Sequence, residues 1–312
     1  MRTVLPLFLV SCLSVPLALG SAWAQTPNPI IDVHLHAEGR DAYIATRDSS
    51  WWLSRGLRRP ASDQELMQQS LDALRRNNVV RAITSEALPN VERWRRQDPE
   101  RLVPALLCTG CFAPPELDSI RSWVRGRRIA VLGEIAWQYT GRVPSDSALE
   151  PFWALAEELD LPVGIHMGLA PPGWSQRVEP KLRITYGRPT TLEAVLVRHP
   201  RLRVYVMHAG WPFLDDMLAM LHQYPGLYVD VSWIDWYLPT PEFYRYLHRL
   251  VEAGFEDRVM YGSDQMQWPA MMDVAIANLQ QAPFLSSAEK GDILCRNAAR
   301  FFRLQPGLCA SP

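Results

Sequence analysis

The stretch Ile30–Glu38, which reads IIDVHLHAE, places two histidines one residue apart at the end of an apolar run. In a β-strand, residues i and i+2 point to the same face, so the side chains of His34 and His36 project together, with their Cα atoms about 6–7 Å apart. Two imidazoles in this position can bind one metal ion. A pair of ordinary buried histidines gives the same pattern, so the rest of the chain must decide between the two interpretations.

Short β-branched runs followed by amphipathic helical stretches recur along the chain. Together with Ile30–Val33 they predict eight strands, the others being Val79–Thr84, Leu102–Leu107, Ile129–Ala136, Pro162–His166, Leu202–His208, Leu227–Ser232 and Val259–Gly262. Predicted helices in the intervals include Ser62–Arg76, Ala148–Leu159, Phe213–Gln223, Pro241–Ala253 and Ser287–Phe302. This alternation indicates a parallel sheet covered by helices. Eight units in about 290 residues, with no GxGxxG turn after the first strand, predict an α/β fold, a single-domain (β/α)8 TIM barrel, rather than a doubly wound sheet.

The N-terminus has the features of a secretory signal peptide. Arg2 is followed by an apolar stretch, Val4–Leu19, and by Ala22-Trp23-Ala24, a small-x-small cleavage pattern. We therefore predict a signal peptide at residues 1–24 and a barrel domain at residues 25–312. No later segment has the roughly 18 uninterrupted apolar residues of a membrane span, so we expect a periplasmic or secreted protein that does not contact the membrane after cleavage.

The charge of the predicted mature chain is close to balanced. Without the first 24 residues it has 31 basic and 33 acidic side chains. This balance gives no general attraction to a phosphate backbone, so we expect no nucleic-acid partner. We expect a small-molecule substrate instead, and the sequence does not decide between a monomer and a homo-oligomer.

Four cysteines remain after the predicted cleavage. A bridge between Cys295 and Cys309 would close a loop of about 15 residues, contribute roughly 3 kcal/mol and fix the C-terminus. Cys108 and Cys111 form the motif CTGC. In an oxidising compartment a structural disulfide or two unreactive thiols are favoured at this motif over a redox pair.

Polar side chains with metal-binding or acid–base chemistry follow several of the predicted strands. Besides the pair on strand 1, Glu134 ends VLGE, His166 ends VGIH, His208 ends VYVMH, and Asp264 follows VMYGS. In a barrel the C-terminal strand ends meet at one face, and unpaired buried ionisable groups are costly. The pattern therefore predicts a metal centre. The other histidines, His199, His222 and His248, fall in or near predicted helices and are interpreted as structural.

These residues, together with the phrases HAGWPFLDDMLAML, YPGLYVDVSW, MYGSDQ and NAARFF, resemble the amidohydrolase superfamily of metal-dependent hydrolases. The likeness is greatest to amidohydrolase family 2, the group related to aminocarboxymuconate-semialdehyde decarboxylase, and it runs from Ile30 to Leu304. The ordered set of motifs is highly specific for the superfamily and weakly specific for the substrate.

The resemblance implies one of two metal arrangements. In the first, His34, His36, His166 and Asp264 bind a single divalent ion, usually Zn²⁺, with His208 close by. In the second, which resembles the TatD-like nucleases, Glu134 bridges two ions: His34, His36 and Asp264 bind one, and His166 with His208 the other. Relatives that bridge with a carboxylated lysine are excluded, because neither Lys181 nor Lys290 lies on a predicted strand.

The same residues suggest a mechanism. Bound Zn²⁺ lowers the pKa of its water from about 15.7 towards 7 and polarises a carbonyl. Asp264 is the predicted general base, and His208 is predicted to orient the water or to stabilise the developing oxyanion. Glu134 is either the bridge or an acceptor that fixes a histidine tautomer. We expect hydrolysis of an amide, ester or lactone. The alternatives are non-oxidative decarboxylation of an aromatic or unsaturated acid and an exported binding protein with a degenerate site.

Substrate contacts are expected from two long loops, Ala37–Ala61, which contains Trp51-Trp52, and Leu169–Thr190. Six aromatic residues follow predicted strand ends closely: Trp137, Trp211, Trp233, Trp236, Tyr237 and Trp268. They suggest an apolar, flat-walled pocket for a hydrophobic or aromatic substrate, with ordinary packing of barrel loops as the alternative. Arg40 and Arg47 are candidates to pair with a substrate carboxylate.

Overall fold

The structure, a computed structural model, describes residues 28–40, 58–110, 113–305 and 307–310. The predicted signal peptide, Arg47, Trp51, Trp52 and Cys111 lie outside the described residues, and these predictions stay untested. The described chain forms one sheet of eight parallel strands that neighbour each other in chain order. The strands are β1 Ile30–His36, β2 Val79–Glu86, β3 Leu102–Cys108, β4 Val131–Ile135, β5 Val163–His166, β6 Val204–Met207, β7 Tyr228–Asp230 and β8 Val259–Met260. All eight predicted strands are confirmed.

The segment that follows β8 returns to β1 and brings the sheet close to a closed barrel. The backbone N–H of Val33 donates to the carbonyl of Tyr261 at 3.0 Å, and that of Asp264 donates to the carbonyl of His34 at 2.7 Å. The predicted single-domain (β/α)8 barrel is thereby confirmed. Because all strands are parallel, their C-terminal ends open on one face, where β1 and the segment after β8 are neighbours.

The helices alternate with the strands. They are α1 Asp63–Arg76, α2 Leu88–Arg95, α3 Pro114–Arg125, α4 Glu150–Glu158, α5 Trp174–Arg177, α6 Glu193–Arg198, α7 Leu214–Gln223, α8 Ile234–Tyr237, α9 Thr240–Glu252, α10 Met271–Gln281, α11 Ser287–Gly291 and α12 Asn297–Phe301. The predicted helices are recovered to within two residues, with one difference. The predicted helix Ser287–Phe302 is interrupted by a π-helical turn at Asp292–Arg296. None of the described helices is long and apolar enough to cross a membrane.

Local sequence explains where α1 begins and ends. The hydroxyl of Ser62 accepts a hydrogen bond from the backbone N–H of Glu65 at 3.1 Å, which satisfies one of the free donors of the first turn. Acidic residues occupy the first turn and Arg75 with Arg76 the last, and both placements suit the helix dipole. Leu66, Leu71 and other apolar residues of this helix face the barrel.

The barrel interior is filled by side chains from the strands. Tyr205 on β6 is fully buried, and its hydroxyl donates to the carbonyl of Val33 at 3.0 Å. Its ring occupies the space beside Gly164 on β5, where an added Cβ would lie 2.4 Å from Tyr205. A glycine is therefore required within the VGIH motif, since a close-packed core cannot absorb that overlap.

Disulfides agree with the cysteine predictions as far as the structure describes them. Cys295 and Cys309 are bonded, with Cα atoms 5.8 Å apart and a sequence separation of 14. This bond ties the C-terminal segment to the barrel, because Cys295 is buried in a cluster that includes Ile31 and Phe301. Cys108 is also disulfide-bonded.

Candidate metal centre

The six predicted site residues converge at the C-terminal face of the barrel. His34 and His36 come from β1, Glu134 from β4, His166 from β5, and His208 and Asp264 directly follow β6 and β8. Each is at most 9 % exposed. Four overlapping groups of residues have ligating atoms within 4.8 Å of one another. They are His34, His36 and Glu134; Glu134, His166 and His208; His34, His208 and Asp230; and His36, Glu38 and Glu86.

The first half of the centre contains the two histidines of β1. Nε2 of His34 and Nε2 of His36 are 3.1 Å apart. Oδ1 of Asp264 lies 3.1 Å from Nε2 of His36 and 3.6 Å from Nε2 of His34. Oε2 of Glu134 lies 3.5 Å and 3.8 Å from the same two nitrogens. Two nitrogens and two carboxylate oxygens therefore surround one point.

The second half contains the histidines that end β5 and follow β6. Nε2 of His208 is 3.1 Å from Nδ1 of His166. The other oxygen of Glu134, Oε1, contacts Nδ1 of His166 and lies 3.8 Å from Nε2 of His208. Glu134 thus directs one oxygen to each pair of imidazoles, which is the position expected of a bridging ligand.

The tautomers of His34 and His208 follow from their outer neighbours. Nδ1 of His208 is 3.0 Å from the carbonyl oxygen of Ser232, and Nδ1 of His34 is 3.3 Å from a carboxylate oxygen of Asp230. Both oxygens only accept, so each Nδ1 carries the proton when the ring is neutral. The lone pair of each Nε2 then faces the centre.

His166 is turned the other way. Its Nε2 lies 3.4 Å from the carbonyl oxygen of Leu169, which also only accepts. Its Nδ1 contacts the carboxylate of Glu134, which accepts as well, and faces Nε2 of His208. A metal ion on Nδ1 would require the proton of the neutral ring to be on Nε2, where the Leu169 carbonyl can accept it.

These facing nitrogens fit a bound cation. Two lone pairs 3.1 Å apart repel each other unless a proton or a cation lies between them. Ligands that each lie 2.0–2.1 Å from one tetrahedral Zn²⁺ are themselves about 3.3 Å apart. The donor set of imidazole nitrogens and carboxylate oxygens is also one that suits zinc and similar divalent ions.

The pKa shifts of the buried histidines and carboxylates show that their opposite charges compensate each other. Burial disfavours the charged form of His34, but the carboxylates of Asp264, Asp230 and Glu134 outweigh it and raise its pKa well above the usual value. Burial also opposes ionisation of Glu134, yet the surrounding histidines, His166 first, hold the pKa of this carboxyl well below its usual range. His166 differs, because burial outweighs its carboxylate neighbour and lowers its pKa. A buried cluster with this charge pattern requires a cationic component.

Backbone conformation at the centre is strained at three positions. His208, Trp233 and Asp264 have φ values of 57°, 62° and 47°, in the left-handed region that non-glycine residues rarely adopt. Each directly follows a strand or a short connection at the C-terminal face. Strain of this kind is retained where function over-determines the geometry.

Two residues that support the centre were not singled out from the sequence. Oδ1 of Asp230 accepts hydrogen bonds from the backbone N–H of His208 at 2.9 Å and from the Ser232 hydroxyl at 2.6 Å. Ser232 Oγ in turn lies 2.9 Å from Nδ1 of His34. Both residues belong to the phrase YVDVSW, and the alternation of polar side chains after β7 is the sequence feature that identifies them.

A cavity of about 300 Å³ opens onto the centre. Five of the metal-centre residues reach it, and the remaining lining residues among those described are Thr109, Tyr139, Leu169, Pro171, Trp174, Val178, Glu179, Trp233 and Met266. Five of these lie in the loop Leu169–Thr190, which therefore forms part of the cavity wall, and its contact with the substrate stays a prediction. The cavity combines apolar walls with one polar end, as in small-molecule sites generally.

The prediction of the aromatic wall is mostly wrong. Of the six aromatic residues proposed, Trp233 is the one that lines the cavity in the described structure. Trp137, Trp236 and Trp268 are buried in the core, because strand-end position alone does not show which way a side chain turns. Trp211 and Tyr237 pack against Trp233, and the Tyr237 ring stacks on it at 4.1 Å between centroids.

Other candidates lie away from the cavity. Arg40 does not line it, and its backbone N–H donates to Asp63 at 2.8 Å. His199 lies 2.8 Å from Glu150 on α4, and His248 packs against Phe284. The structural interpretation of these histidines is thus supported. The two lysines, Lys181 and Lys290, lie outside the strands, in agreement with the exclusion of a carboxylated lysine.

The fold and the converging ligands define a metal-dependent enzyme built on a (β/α)8 barrel. The amidohydrolase profile of family 2 matches residues 31–304. The chain belongs to this amidohydrolase family, whose members include hydrolases and decarboxylases. No curated protein sequence matches the chain.

Solved structures share the fold at low sequence identity. An amidohydrolase of Burkholderia multivorans with bound zinc is 16% identical, with a TM-score of 0.64 over 88% of this chain and 99% of that one. A probable 2-pyrone-4,6-dicarboxylic acid hydrolase of Acinetobacter baumannii, with citric acid bound, is 16% identical, with a TM-score of 0.62 over the same shares of the two chains. A 2,6-dihydroxybenzoate decarboxylase from Rhizobium is 13% identical, with a TM-score of 0.60 over 89% and 99%. At these identities the likeness extends to the fold alone.

Proposed function

We propose that this protein is a metal-dependent hydrolase that cleaves an amide, ester or lactone bond of a small, hydrophobic or aromatic substrate. The observation that carries the proposal is the convergence of His34, His36, Glu134, His166, His208 and Asp264 at the polar end of an apolar cavity. The family is metal-dependent, and buried ligands of this kind supply a divalent ion with nitrogen and oxygen donors.

Zn²⁺ is the proposed cofactor, and when bound it would supply Lewis acidity for a carbonyl and an activated water. His34, His36 and Asp264 would hold one ion and His166 with His208 a second, with Glu134 between them. The division of the Glu134 oxygens between the two histidine pairs supports this two-ion arrangement over the single-ion alternative. Within each pair, facing nitrogens 3.1 Å apart can bind a cation of their own in place of the proton that they can otherwise share.

Asp264 is the proposed general base. Surrounding histidines, His34 first, outweigh the effect of burial and lower the pKa of its carboxyl, which keeps it ionised and able to accept a proton. It lies at the cavity wall, where it can receive that proton from the attacking water and return it to the leaving group. His208 also reaches the cavity and would orient the water.

The cavity walls favour a substrate that is neutral away from the metal centre. No lysine or arginine lines the cavity within the residues that the structure describes, and Glu179 places an acidic group there. A substrate carboxylate away from the metal centre would therefore have an unfavourable partner. Decarboxylation of an aromatic acid is the competing function, since the family includes decarboxylases.

Export is a further part of the proposal. Disulfides persist in oxidising compartments, and the bond between Cys295 and Cys309, with that of Cys108, suits a periplasmic or secreted enzyme. Fractionation of cells that express the full chain tests this point, with recovery in the cytosolic fraction as the contrary result.

The deciding experiment compares two substrate panels on the zinc-loaded enzyme. One panel contains neutral aryl esters, anilides and lactones, and the other contains aromatic carboxylic acids. We expect acid release in a pH-stat from the first panel and no CO₂ from the second, with acid release strongly reduced in Asp264→Asn. Release of CO₂ without acid release would replace hydrolysis by decarboxylation.

A further inference from the structure

Glu179 is the one acidic side chain outside the metal centre that lines the cavity, among the residues that the structure describes. It lies in the loop that follows α5 and is half-buried. Its backbone N–H donates to the carbonyl of Trp174 at 3.1 Å, and its own carbonyl accepts from the backbone N–H of Leu182 at 3.0 Å. Hydrogen bonds on both sides therefore fix the backbone at this position.

Glu179 belongs to the outer part of the cavity. The Tyr139 ring lies beside the metal centre, with its centroid 5.0 Å from that of His166, and the centroid of the Trp174 ring is a further 6.1 Å away. Glu179 follows in this series through its hydrogen bond to Trp174. Exposure rises in the same direction, since Val178, next to Glu179, is 37 % exposed, whereas the metal-centre residues are at most 9 % exposed. A substrate group that contacts Glu179 is therefore remote from the reacting bond.

The charge of the Glu179 carboxylate has no counterpart in the loop around it. Arg177 donates to the carbonyl of Pro172 at 2.7 Å. Arg183 donates to the carbonyl of Pro180, also at 2.7 Å. Within the described residues, the carboxylate of Glu179 forms no ion pair and accepts no hydrogen bond. A carboxylate only accepts hydrogen bonds, so the group that suits this part of the cavity is a donor on the bound molecule.

We propose that Glu179 determines specificity by accepting a hydrogen bond from a neutral hydroxyl or amino group at the end of the substrate remote from the scissile bond. This inference rests on the proposed hydrolase function and narrows its substrate class to aromatic esters, amides and lactones that carry such a donor. The aromatic ring would pack against the apolar wall that includes Leu169, Trp174 and Trp233. A substrate without the donor would displace water from the carboxylate and leave it without a partner.

The test compares methyl esters that differ in one group. Methyl 4-hydroxybenzoate and methyl 4-methoxybenzoate activate the ester carbonyl to a similar degree, but the hydroxyl compound alone has a donor. The corresponding esters of 3-phenylpropanoic acid repeat the comparison with a longer substrate. Values of kcat and KM are measured on the zinc-loaded wild type and on Glu179→Leu, which removes the acceptor. Glu100→Leu is the matched control, because Glu100 is an exposed glutamate that precedes β3 and lies at the face opposite the cavity.

In the wild type and in Glu100→Leu we expect kcat/KM for the hydroxyl ester to exceed that for the methoxy ester about 10-fold in at least one pair. The difference should lie in KM, because a contact remote from the reacting bond is made equally in the ground state and the transition state. In Glu179→Leu the preference should disappear while the methoxy ester is hydrolysed as well as by the wild type. Hydrolysis without a preference in the wild type, or a preference that persists in Glu179→Leu, would overturn the assignment and leave the hydrolase function in place.

A pair of ligands that cannot be hydrolysed separates this inference from the proposed function. 4-Hydroxybenzylphosphonate and 4-methoxybenzylphosphonate offer the same oxyanion to the metal centre and differ in the same end group. Calorimetry should show that the wild type binds the hydroxyl compound about 10-fold more tightly, and that Glu179→Leu binds the two equally. If no ester is hydrolysed but this difference is found, the hydrolase proposal fails and the role of Glu179 stands. Equal binding of the two phosphonates by the wild type would contradict that role.

Discussion

The hydroxyl of Ser232 links the imidazoles of His34 and His208, which lie far apart in the sequence, His34 on β1 and His208 directly after β6. Its Oγ is 2.9 Å from Nδ1 of His34 and 3.1 Å from Nδ1 of His208. The carboxylate of Asp230 accepts a hydrogen bond from this hydroxyl at 2.6 Å and fixes its orientation. Asp230, at the end of β7, and Ser232, just after it, are both buried and therefore set the ring orientation of a ligand in each half of the metal centre.

Removal of the Ser232 hydroxyl should weaken metal binding without removing a ligand. We expect Ser232→Ala to bind zinc about 10- to 100-fold less tightly, the usual effect of losing a hydrogen-bond partner that orients a metal ligand. Competition with a chromophoric chelator measures the affinity. Ser70→Ala is the matched control, because Ser70 is a buried serine on α1 that donates to the carbonyl of Leu66. Equal zinc affinity in the two variants would contradict the role assigned to Ser232.

The number of ions per chain depends on Glu134. If its two oxygens bridge two ions, Glu134→Ala should reduce the metal content from two ions per chain to one or fewer, because neither histidine pair keeps its shared carboxylate. Elemental analysis after gel filtration gives the ratio. A ratio of one in the wild-type protein that is unchanged in Glu134→Ala would support the single-ion arrangement, with Glu134 as an outer acceptor.

The metal centre could be predicted because its ligands come at the ends of strands. In a parallel barrel, strand order and direction alone place all C-terminal ends on one face. Four ligands at strand ends could therefore be predicted from the sequence to lie close together, and they are His34, Glu134, His166 and Asp264. Strand boundaries were also recoverable, since each strand is a short apolar run between polar segments.

The cavity walls could not be predicted in the same way. Trp137 follows β4 by two residues, as Tyr139 does by four, yet the Trp137 ring packs between Phe152 and Trp153 in the core, whereas Tyr139 lines the cavity. The 3-10 turn that contains both residues decides the direction of each side chain, and turn conformation depends on tertiary packing. The roles of Asp230 and Ser232 were missed for a related reason, because the alternation that contains them is also that of an ordinary strand.

Asp235 should make stability depend on pH. Its carboxyl is fully buried, with neither oxygen hydrogen-bonded within the described chain. Burial, followed by the charges of Asp230, Asp32 and Asp264, raises its pKa well above the usual value. The folded state therefore retains this proton to higher pH than the unfolded state does. The associated stability is present below the unfolded pKa and is lost as pH rises through the folded pKa.

Replacing Asp235 with Asn removes that dependence while keeping the side-chain shape. We expect the free energy of unfolding of Asp235→Asn to exceed that of the wild type at alkaline pH by on the order of 1–3 kcal/mol, the cost of an unsatisfied buried group. The difference should shrink as pH falls. Urea unfolding at several pH values, at equal metal loading, measures it. A difference that is constant with pH would show that Asp235 does not titrate in the folded protein over that range.

Asp264 should be required for turnover more than for folding. We expect Asp264→Asn to lower kcat about 100- to 10,000-fold, the usual range for loss of a general base, because an amide oxygen does not take up the proton. Asp273→Asn provides the comparison. Asp273 pairs with Arg76 on the exposed surface, and exposed pairs contribute little. Circular dichroism should give the same fold for both variants, and full activity in Asp264→Asn would remove it from the mechanism.

The disulfide between Cys295 and Cys309 should stabilise the barrel without affecting the metal centre. It closes a loop with a sequence separation of 14, for which loop-closure entropy predicts about 3 kcal/mol. Cys295 is buried against strand residues at the barrel interior, whereas Cys309 is partly exposed, so Cys309→Ser removes the bond without placing a polar group in the core.

We expect this variant to unfold at lower urea concentration than the oxidised wild type and to retain its zinc. Reduction with dithiothreitol should lower the stability of the wild-type protein. The reduced wild type and Cys309→Ser should then differ little in the urea concentration at which they unfold. A variant as stable as the oxidised wild type would show that the covalent link adds nothing to the packing of the C-terminal segment.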